Sequence, residues 1–149
     1  MARAQCLVVR EHKILMVKHC ENDQEWWCLP GGSIESYELP SEAALRELQE
    51  ECNLIGRIVR ETSIVNYSQN DIHYTFFIDI DNQTPLMGYD PELTQENQIL
   101  SEVKWMSLKE IPERDRCFLW AAGLLGIPGF LEEVASWKDA ISYPCDSGL

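Results

Sequence analysis

Arg46, Glu47, Glu50 and Glu51 stand together in the run R-E-L-Q-E-E of a 149-residue chain. Carboxylates that converge on one point make a hard, oxygen-rich site for a divalent cation, and a cation beside an arginine suits chemistry on phosphates. Whether they converge depends on the backbone. Leu39 to Cys52 has helical periodicity, and at 100° per residue from Arg46 the residues Glu50, Glu47 and Glu51 lie at roughly 40°, 100° and 140°. The three carboxylates thus share one arc. Ser41, Ala44, Leu45, Leu48 and Cys52 occupy the opposite arc, a face suited to burial against a sheet. Ala43 falls inside the acidic arc one turn before Glu47, where a small side chain leaves room for a ligand.

The ends of this helix are legible. Pro40 suits the first helical position and Glu42 the first turn, although Leu39 is a poor N-cap. Asn53 follows the last periodic residue and tolerates the left-handed backbone of a C-terminal cap. An isolated E-x-x-E-E run is more often a solvated helix face than a site. Like charges one turn apart also destabilise a helix by a few tenths of a kcal/mol per pair, a sign that a bound cation would reverse.

The wider pattern decides between these readings. From Gly32 the chain reads G-S-I-E-S-Y-E-L-P-S-E-A-A-L-R-E-L-Q-E-E-C-N-L. This resembles the box of the Nudix hydrolase family (MutT-like): G, five residues, E, seven residues, then R-E-U-x-E-E-x-G-U, with U a bulky aliphatic. Gly32, Glu38, Arg46, Glu47, Leu48, Glu50, Glu51 and Leu54 match in register over residues 32–54. Asn53 stands where the family has glycine, a departure that bears on helix capping more than on chemistry. Trp27, Leu29-Pro30-Gly31 and Trp105 also look like the family, whose subfamily the sequence does not specify.

The resemblance implies an α/β fold, an α/β/α sandwich with a mixed β-sheet and a central catalytic loop-helix-loop. It implies hydrolysis of a phosphoanhydride in a nucleoside diphosphate linked to another moiety, with Mg2+ as cofactor and Mn2+ as a substitute. Glu47 and Glu51 are then the first choices as metal ligands, and Glu50 is a third ligand or the base that activates water. Arg46 orients a glutamate of the box, and the Gly31 carbonyl joins the metal shell. Gly32, Glu38 and Glu35 take supporting roles, and a carboxylate from a later loop, Glu96 before Glu92, is a further candidate. Tyr67, Tyr74, Phe76 and Trp27 could stack on an aromatic leaving group, though each residue type is more often found in a core. The competing expectation is a non-catalytic, nucleotide-binding Nudix domain acting as a regulatory module, against which the complete set of box carboxylates argues.

The surrounding elements must hold this helix in place. Ala4 to Arg10 and Ile14 to His19 read as a hairpin around Glu11-His12-Lys13, and Trp26 to Leu29 as a strand stopped by Pro30-Gly31-Gly32. Ile55 to Glu61, Ser63 to Tyr67, Ile72 to Asp81 and Glu102 to Met106 read as further strands. Residues Asn82 to Gln98, with Pro85, Gly88 and Pro91, form a long loop. Helices follow near Asp115 to Leu125 and Phe130 to Ala140, parted by Gly126-Ile127-Pro128-Gly129. The length suits one domain over residues 1–149.

With 25 acidic against 12 basic residues, the net charge of -13 disfavours duplex nucleic acid. A small phosphorylated substrate can still bind if cations bridge the two sets of negative charge. No run is apolar enough to span a membrane, so a soluble, cytoplasmic protein is expected, and a homodimer is compatible with the chain. Six cysteines without a C-x-x-C pair read as reduced core thiols, and His19, Cys20 and Cys28 match no common zinc spacing.

Overall fold

Two tight turns set the first layer of the fold. Glu11 and His12 both take positive φ, 50° and 65°, as do Asn22 and Asp23, 52° and 62°. Paired positive φ values are the mark of two-residue hairpins whose twist matches that of the flanking strands. Strands β1 (Ala2–Leu7), β2 (Val9–Arg10), β3 (Lys13–Glu21) and β4 (Gln24–Cys28) follow, the latter two joined through Asn22 and Asp23. Glu11 and His12 are poor residues for such a turn. The turn is held from outside: the His12 ring stacks on Phe130 at 4.4 Å, and its Nε2 lies 2.6 Å from Glu133.

The computed structural model describes residues 2–88, 99–137 and 141–142. After β5 (Gly31–Ser33) come helix α1 (Pro40–Cys52), the long strands β6 (Arg57–Ser68) and β7 (Asp71–Asp79), and β8 (Leu100–Met106). Helices α2 (Glu113–Ala121) and α3 (Phe130–Ala135) close the order, with short 3-10 turns at Leu108–Glu110 and Leu124–Gly126. One four-stranded sheet runs β5-β1-β7-β6 and is mixed, because β1 and β7 are parallel while its other pairs are antiparallel. The second is antiparallel: β3 pairs with β2, β4 and β8.

Alternation along the strands sorts two cores. Leu15 and Val17 of β3 join Ala4, Cys6, Phe76 and Ile78 under Ala44, Leu48 and Cys52 of α1. Ile14 and Met16 point the other way, into Leu119, Trp120, Phe130 and Val134 of α2 and α3. Strands therefore lie between α1 on one face and α2 with α3 on the other, which is the α/β/α sandwich expected. Ile14, Leu15, Met16 and Val17 are all fully buried, so this half of β3 has no solvated face.

Several boundaries differ from the sequence reading. The first apolar run is split at Val8, so β1 joins one sheet and β2 the other. The two strands expected at Ile55 to Glu61 and Ser63 to Tyr67 are one strand, β6, whose shifts in apolar period come from register irregularities at Ile58/Arg60, Glu61/Ser63 and Asn66/Ser68. Helix α2 ends earlier than Leu125 because Gly123, at φ +93°, passes so close to β6 that a Cβ would lie 2.8 Å from the Thr62 carbonyl. Ala43 corrects the picture of a gap above the carboxylates: it is fully buried in the α1 core, its side chain spent on packing. Among the described residues no helix is long and apolar enough to cross a membrane.

Candidate functional site

Helix α1 starts and stops as its sequence demands. Leu39 cannot cap with its own side chain, but its N–H donates to Glu42 Oε1 at 2.8 Å, the reciprocal half of a capping box. At the other end Asn53 sits at φ 55°, ψ 39°, the left-handed cap expected of it. The asparagine also does what glycine could not: its Nδ2 donates to the Leu86 carbonyl at 2.9 Å. The same loop returns N–H donors to the helix end, Leu86 to the Cys52 carbonyl at 2.9 Å and Gly88 to the Glu51 carbonyl at 2.7 Å. The carbonyls of Glu51 and Cys52, which the helix itself cannot pair, are thereby satisfied.

Strand β5 lies over the acidic side of the helix. Its position is fixed by β1, by the Cys6 N–H donating to the Pro30 carbonyl at 2.8 Å, and by Arg46 Nη2 donating to the Ser33 carbonyl at 3.0 Å. Two glycines make the contact close. A Cβ on Gly31 would fall 2.3 Å from the Ala4 carbonyl, and one on Gly32 would fall 2.4 Å from Glu47 Oε1. Gly31 is thus required by the sheet and Gly32 by the carboxylate beneath it.

Arg46 is the hub of the site. Its Nε and Nη2 grip Glu38 Oε2 and Oε1 at 2.7 and 3.0 Å, and its Nη1 reaches Glu47 Oε1 at 3.0 Å and Glu50 Oε2 at 3.2 Å. A bidentate guanidinium–carboxylate pair is both strong and directional. It holds the Glu38 carboxyl below the usual carboxylate range and pushes Arg46 further up. Glu38 Oε1 also accepts the Glu35 N–H at 3.0 Å, so the loop before the helix is tied to the helix. Glu35 meets the site through this backbone bond, and its side chain lines the cavity.

Glu51 is bound from both sides: Oε1 accepts the Gly31 N–H at 2.7 Å, and Oε2 lies 3.5 Å from His19 Nε2. Burial opposes protonation of His19, but Cys28 and Glu51 outweigh it and hold the imidazole up at about 10. Glu47 behaves in the opposite sense. Burial and the negative charge of Glu51 outweigh Arg46 and push its carboxyl up to about 7. A buried carboxyl that resists ionisation beside a second carboxylate is an electrostatic demand for a cation.

The residues fit a divalent metal on that ground, and on the all-oxygen chemistry of Glu47, Glu50 and Glu51. Among the described residues no three His, Cys, Asp or Glu side chains form a ready-made chelating set. The bonds above explain this, since each carboxylate is engaged with a protein donor.

These groups line a cavity of about 1050 Å³ that runs from α1 past β5 and β4 to α2. The structure brings Gly31, Gly32, Glu35, Arg46, Glu47, Glu50 and Glu51 to its wall, with Glu38 behind Arg46. Glu92 and Glu96 lie outside the described residues. Of the aromatic candidates, Tyr67 and Trp27 line the cavity, while Phe76 and Tyr74 belong to the α1 core.

Sequence reasoning missed His19 as a neighbour of Glu51, and missed Arg3, His73 and Phe118 in the cavity wall. Only a correct strand register and, for Phe118, the docking of α2 could have found them. Cys6, Cys52 and Cys117 are buried thiols as expected, Cys28 instead faces His19 at 4.0 Å, and Cys145 lies outside the described residues. Cys20 turns to Ser101, so the three residues His19, Cys20 and Cys28 do not meet around one point.

The family model for the NUDIX domain matches residues 1–122. A human diphosphoinositol polyphosphate phosphohydrolase is 35% identical over 77 residues, covering 50% of this chain and 42% of that protein. The chain thus matches less than half the length of this curated relative. A NUDIX hydrolase structure from Nitrosomonas europaea has a TM-score of 0.67 at 22% identity, covering 95% of this chain and 76% of that one. An ADP-ribose pyrophosphatase from Streptococcus suis has a TM-score of 0.60 at 18% identity, covering 95% and 96%. The box in register, the sandwich that carries it and a family model spanning most of the sequence agree, and the chain belongs to the NUDIX family.

Proposed function

We propose that this protein hydrolyses a phosphoanhydride in a nucleoside diphosphate linked to another group, with Mg2+ as cofactor and Mn2+ able to replace it. The observation that carries the reading is the set of three carboxylates under the β5 glycines, Glu47 and Glu50 held by Arg46 and Glu51 by the Gly31 N–H, open to a cavity large enough for a nucleotide. The similarity to phosphohydrolases and to a pyrophosphatase supports the same reaction type.

Glu47 and Glu51 would hold the cation, with Glu50 and the Gly31 carbonyl at the edge of the same site. A divalent cation held there would supply charge neutralisation at the anhydride and a lowered pKa for water. The chain's own residues do the rest. Glu50 is the base: its side chain is 37% exposed against 14% for Glu51, it faces the cavity, and Arg46 holds it by a single contact of 3.2 Å. It can take the proton of the attacking water while Arg46 keeps its carboxylate aimed. Glu38 fixes Arg46 through two bonds and so positions Glu50 at one remove. The closely packed β5 glycines and the α1 core hold these groups without a large conformational change.

A magnesium-dependent screen of nucleoside triphosphates, nucleotide sugars, ADP-ribose, NADH and dinucleoside polyphosphates tests the proposal. Product release is expected from at least one class, and Glu51→Gln should lower kcat by on the order of 10²–10³. Gln retains an acceptor for the Gly31 N–H, so folding should persist. No product across the panel, or an unchanged rate in Glu51→Gln, overturns the reading.

A further inference from the structure

Helix α1 carries Glu50 and Glu51 at the end least suited to them. Both lie in its last turn, where the macrodipole disfavours negative charge, and no basic residue stands in that turn to compensate. The last carbonyls of a helix also have no partner within it. Left to itself this turn would fray, and the aim of both side chains would be lost with it.

Residues 81–88 hold it from outside. The Gly88 N–H donates to the Glu51 carbonyl at 2.7 Å, and the Leu86 N–H to the Cys52 carbonyl at 2.9 Å. Gly88 lies directly against the helix backbone: a Cβ there would fall 1.8 Å from the Glu50 carbonyl oxygen and 2.9 Å from its carbon. A contact this close between two backbones leaves room only for glycine. It falls on the peptide groups of Glu50 and Glu51, the residues read above as base and metal ligand.

The segment is itself anchored. The Gln83 side-chain amide accepts the Ile55 N–H at 2.9 Å and donates to the Ile55 carbonyl at 2.7 Å and the Ile80 carbonyl at 2.8 Å. It thus meets Ile55, just past the end of α1, as a neighbouring strand would. Arg10 of β2 supports the same segment, Nη1 donating to the Gln83 carbonyl at 2.8 Å and Nη2 to the Asp81 carbonyl at 2.7 Å. Its guanidinium lies over the Trp105 ring of β8, 5.0 Å from the centroid. The support therefore runs from the antiparallel sheet through Arg10 and Gln83 to the end of α1. Neither Arg10, Gln83, Leu86 nor Gly88 lines the cavity.

We infer that residues 81–88 clamp the last turn of α1, with Gly88, Gln83 and Arg10 as positioning residues that keep Glu50 and Glu51 aimed at one cation and one water. The inference rests on the hydrolase reading for the roles of the two glutamates. It adds the part of the molecule, outside the box, that holds them.

Calorimetry with Mn2+ alone, in the absence of substrate, tests this beside steady-state kinetics. Gly88→Ala forces the segment off the helix, and Gln83→Met keeps the length of the side chain but none of its bonds. Each should weaken Mn2+ binding by roughly 10-fold and lower kcat by a similar factor, with KM little changed because the cavity wall is intact. Hydrogen exchange at the amides of Glu50 to Asn53 should quicken in both variants, while Ala44 to Leu48 stay protected. His12→Ala controls for stability: it removes the stack on Phe130 and the contact with Glu133 on the opposite layer. It should melt earlier and keep its Mn2+ affinity. If Gly88→Ala does not fold, Gln83→Met decides alone. Unchanged Mn2+ affinity in either folded variant of the clamp, or an equal loss in His12→Ala, overturns the inference. Failure of the hydrolase reading would appear separately, as a wild-type protein that binds Mn2+ and releases no product.

Discussion

The two ends of the cavity are built in opposite ways. The carboxylate end comes from one continuous stretch, Gly31 to Glu51, in which a loop folds over its own helix and Arg46 ties Ser33, Glu38, Glu47 and Glu50 together. The aromatic end, with Arg3, Tyr67, His73 and Phe118 in its wall, is assembled from β1, β6, β7 and α2, with partners such as Gln5 and Thr75 70 residues apart. A local site can be rigid because short connections leave it few alternatives. A dispersed wall depends on register and on the docking of a helix, and can vary while the reaction is retained.

The strongest way to probe this contrast is a paired substitution in β5. Gly32→Ala places a methyl group against the Glu47 carboxylate, the flexible end of a side chain, so the carboxylate should be displaced while the fold survives. Turnover is expected to fall by on the order of 10²-fold with a stability loss of about 1 kcal/mol. Gly31→Ala presses on the Ala4 carbonyl, which cannot yield, and should cost more stability. Thermal melts beside initial rates distinguish the two. If both variants melt alike and retain activity, the local end is not as closely built as the contacts imply.

A second test uses the pH dependence that belongs to the carboxylate end. Folded Glu47 keeps its proton up to about 7, whereas its ordinary value is 4.5. Between these values the folded state binds more protons than the unfolded state, so stability contributed by this group falls as pH rises through the window and levels off above it. A divalent cation requires the ionised carboxylate, so its affinity should rise over the same range. Melting in EDTA and in excess Mg2+ at pH 5 and pH 8 should give the larger magnesium-induced shift at pH 8. An equal shift at both values would contradict the role given to Glu47.

The smallest expected effect is at Asn53. Replacement by glycine suits the left-handed backbone but removes the bond to the Leu86 carbonyl, so stability should change by less than about 1 kcal/mol. Asn53→Ala loses both and should cost about 1–2 kcal/mol. Chemical denaturation reads the difference, and kcat should follow neither change closely. A large fall in kcat for Asn53→Gly would show that the bond to Leu86, and not only the contact of Gly88, holds the site.

The sequence by itself determined the helix, its polarity, its caps and its acidic arc, because 3.6-residue periodicity and capping chemistry act over a few neighbouring residues. It therefore determined Arg46, Glu47, Glu50 and Glu51 as a group, and Glu38 through the box. It misplaced Ala43, which the projection put among the carboxylates and the core claimed, because a helix wheel does not show how far the packing surface wraps around. It divided β6 in two, since bulges shift an apolar period without ending a strand. Only the tertiary structure decided that His19 meets Glu51, that Tyr67 faces the cavity while Phe76 faces the core, and that Phe118 joins Tyr67 and His73. Those outcomes follow from strand register and from the docking of α2, and a shift of one residue in register would reverse every face involved.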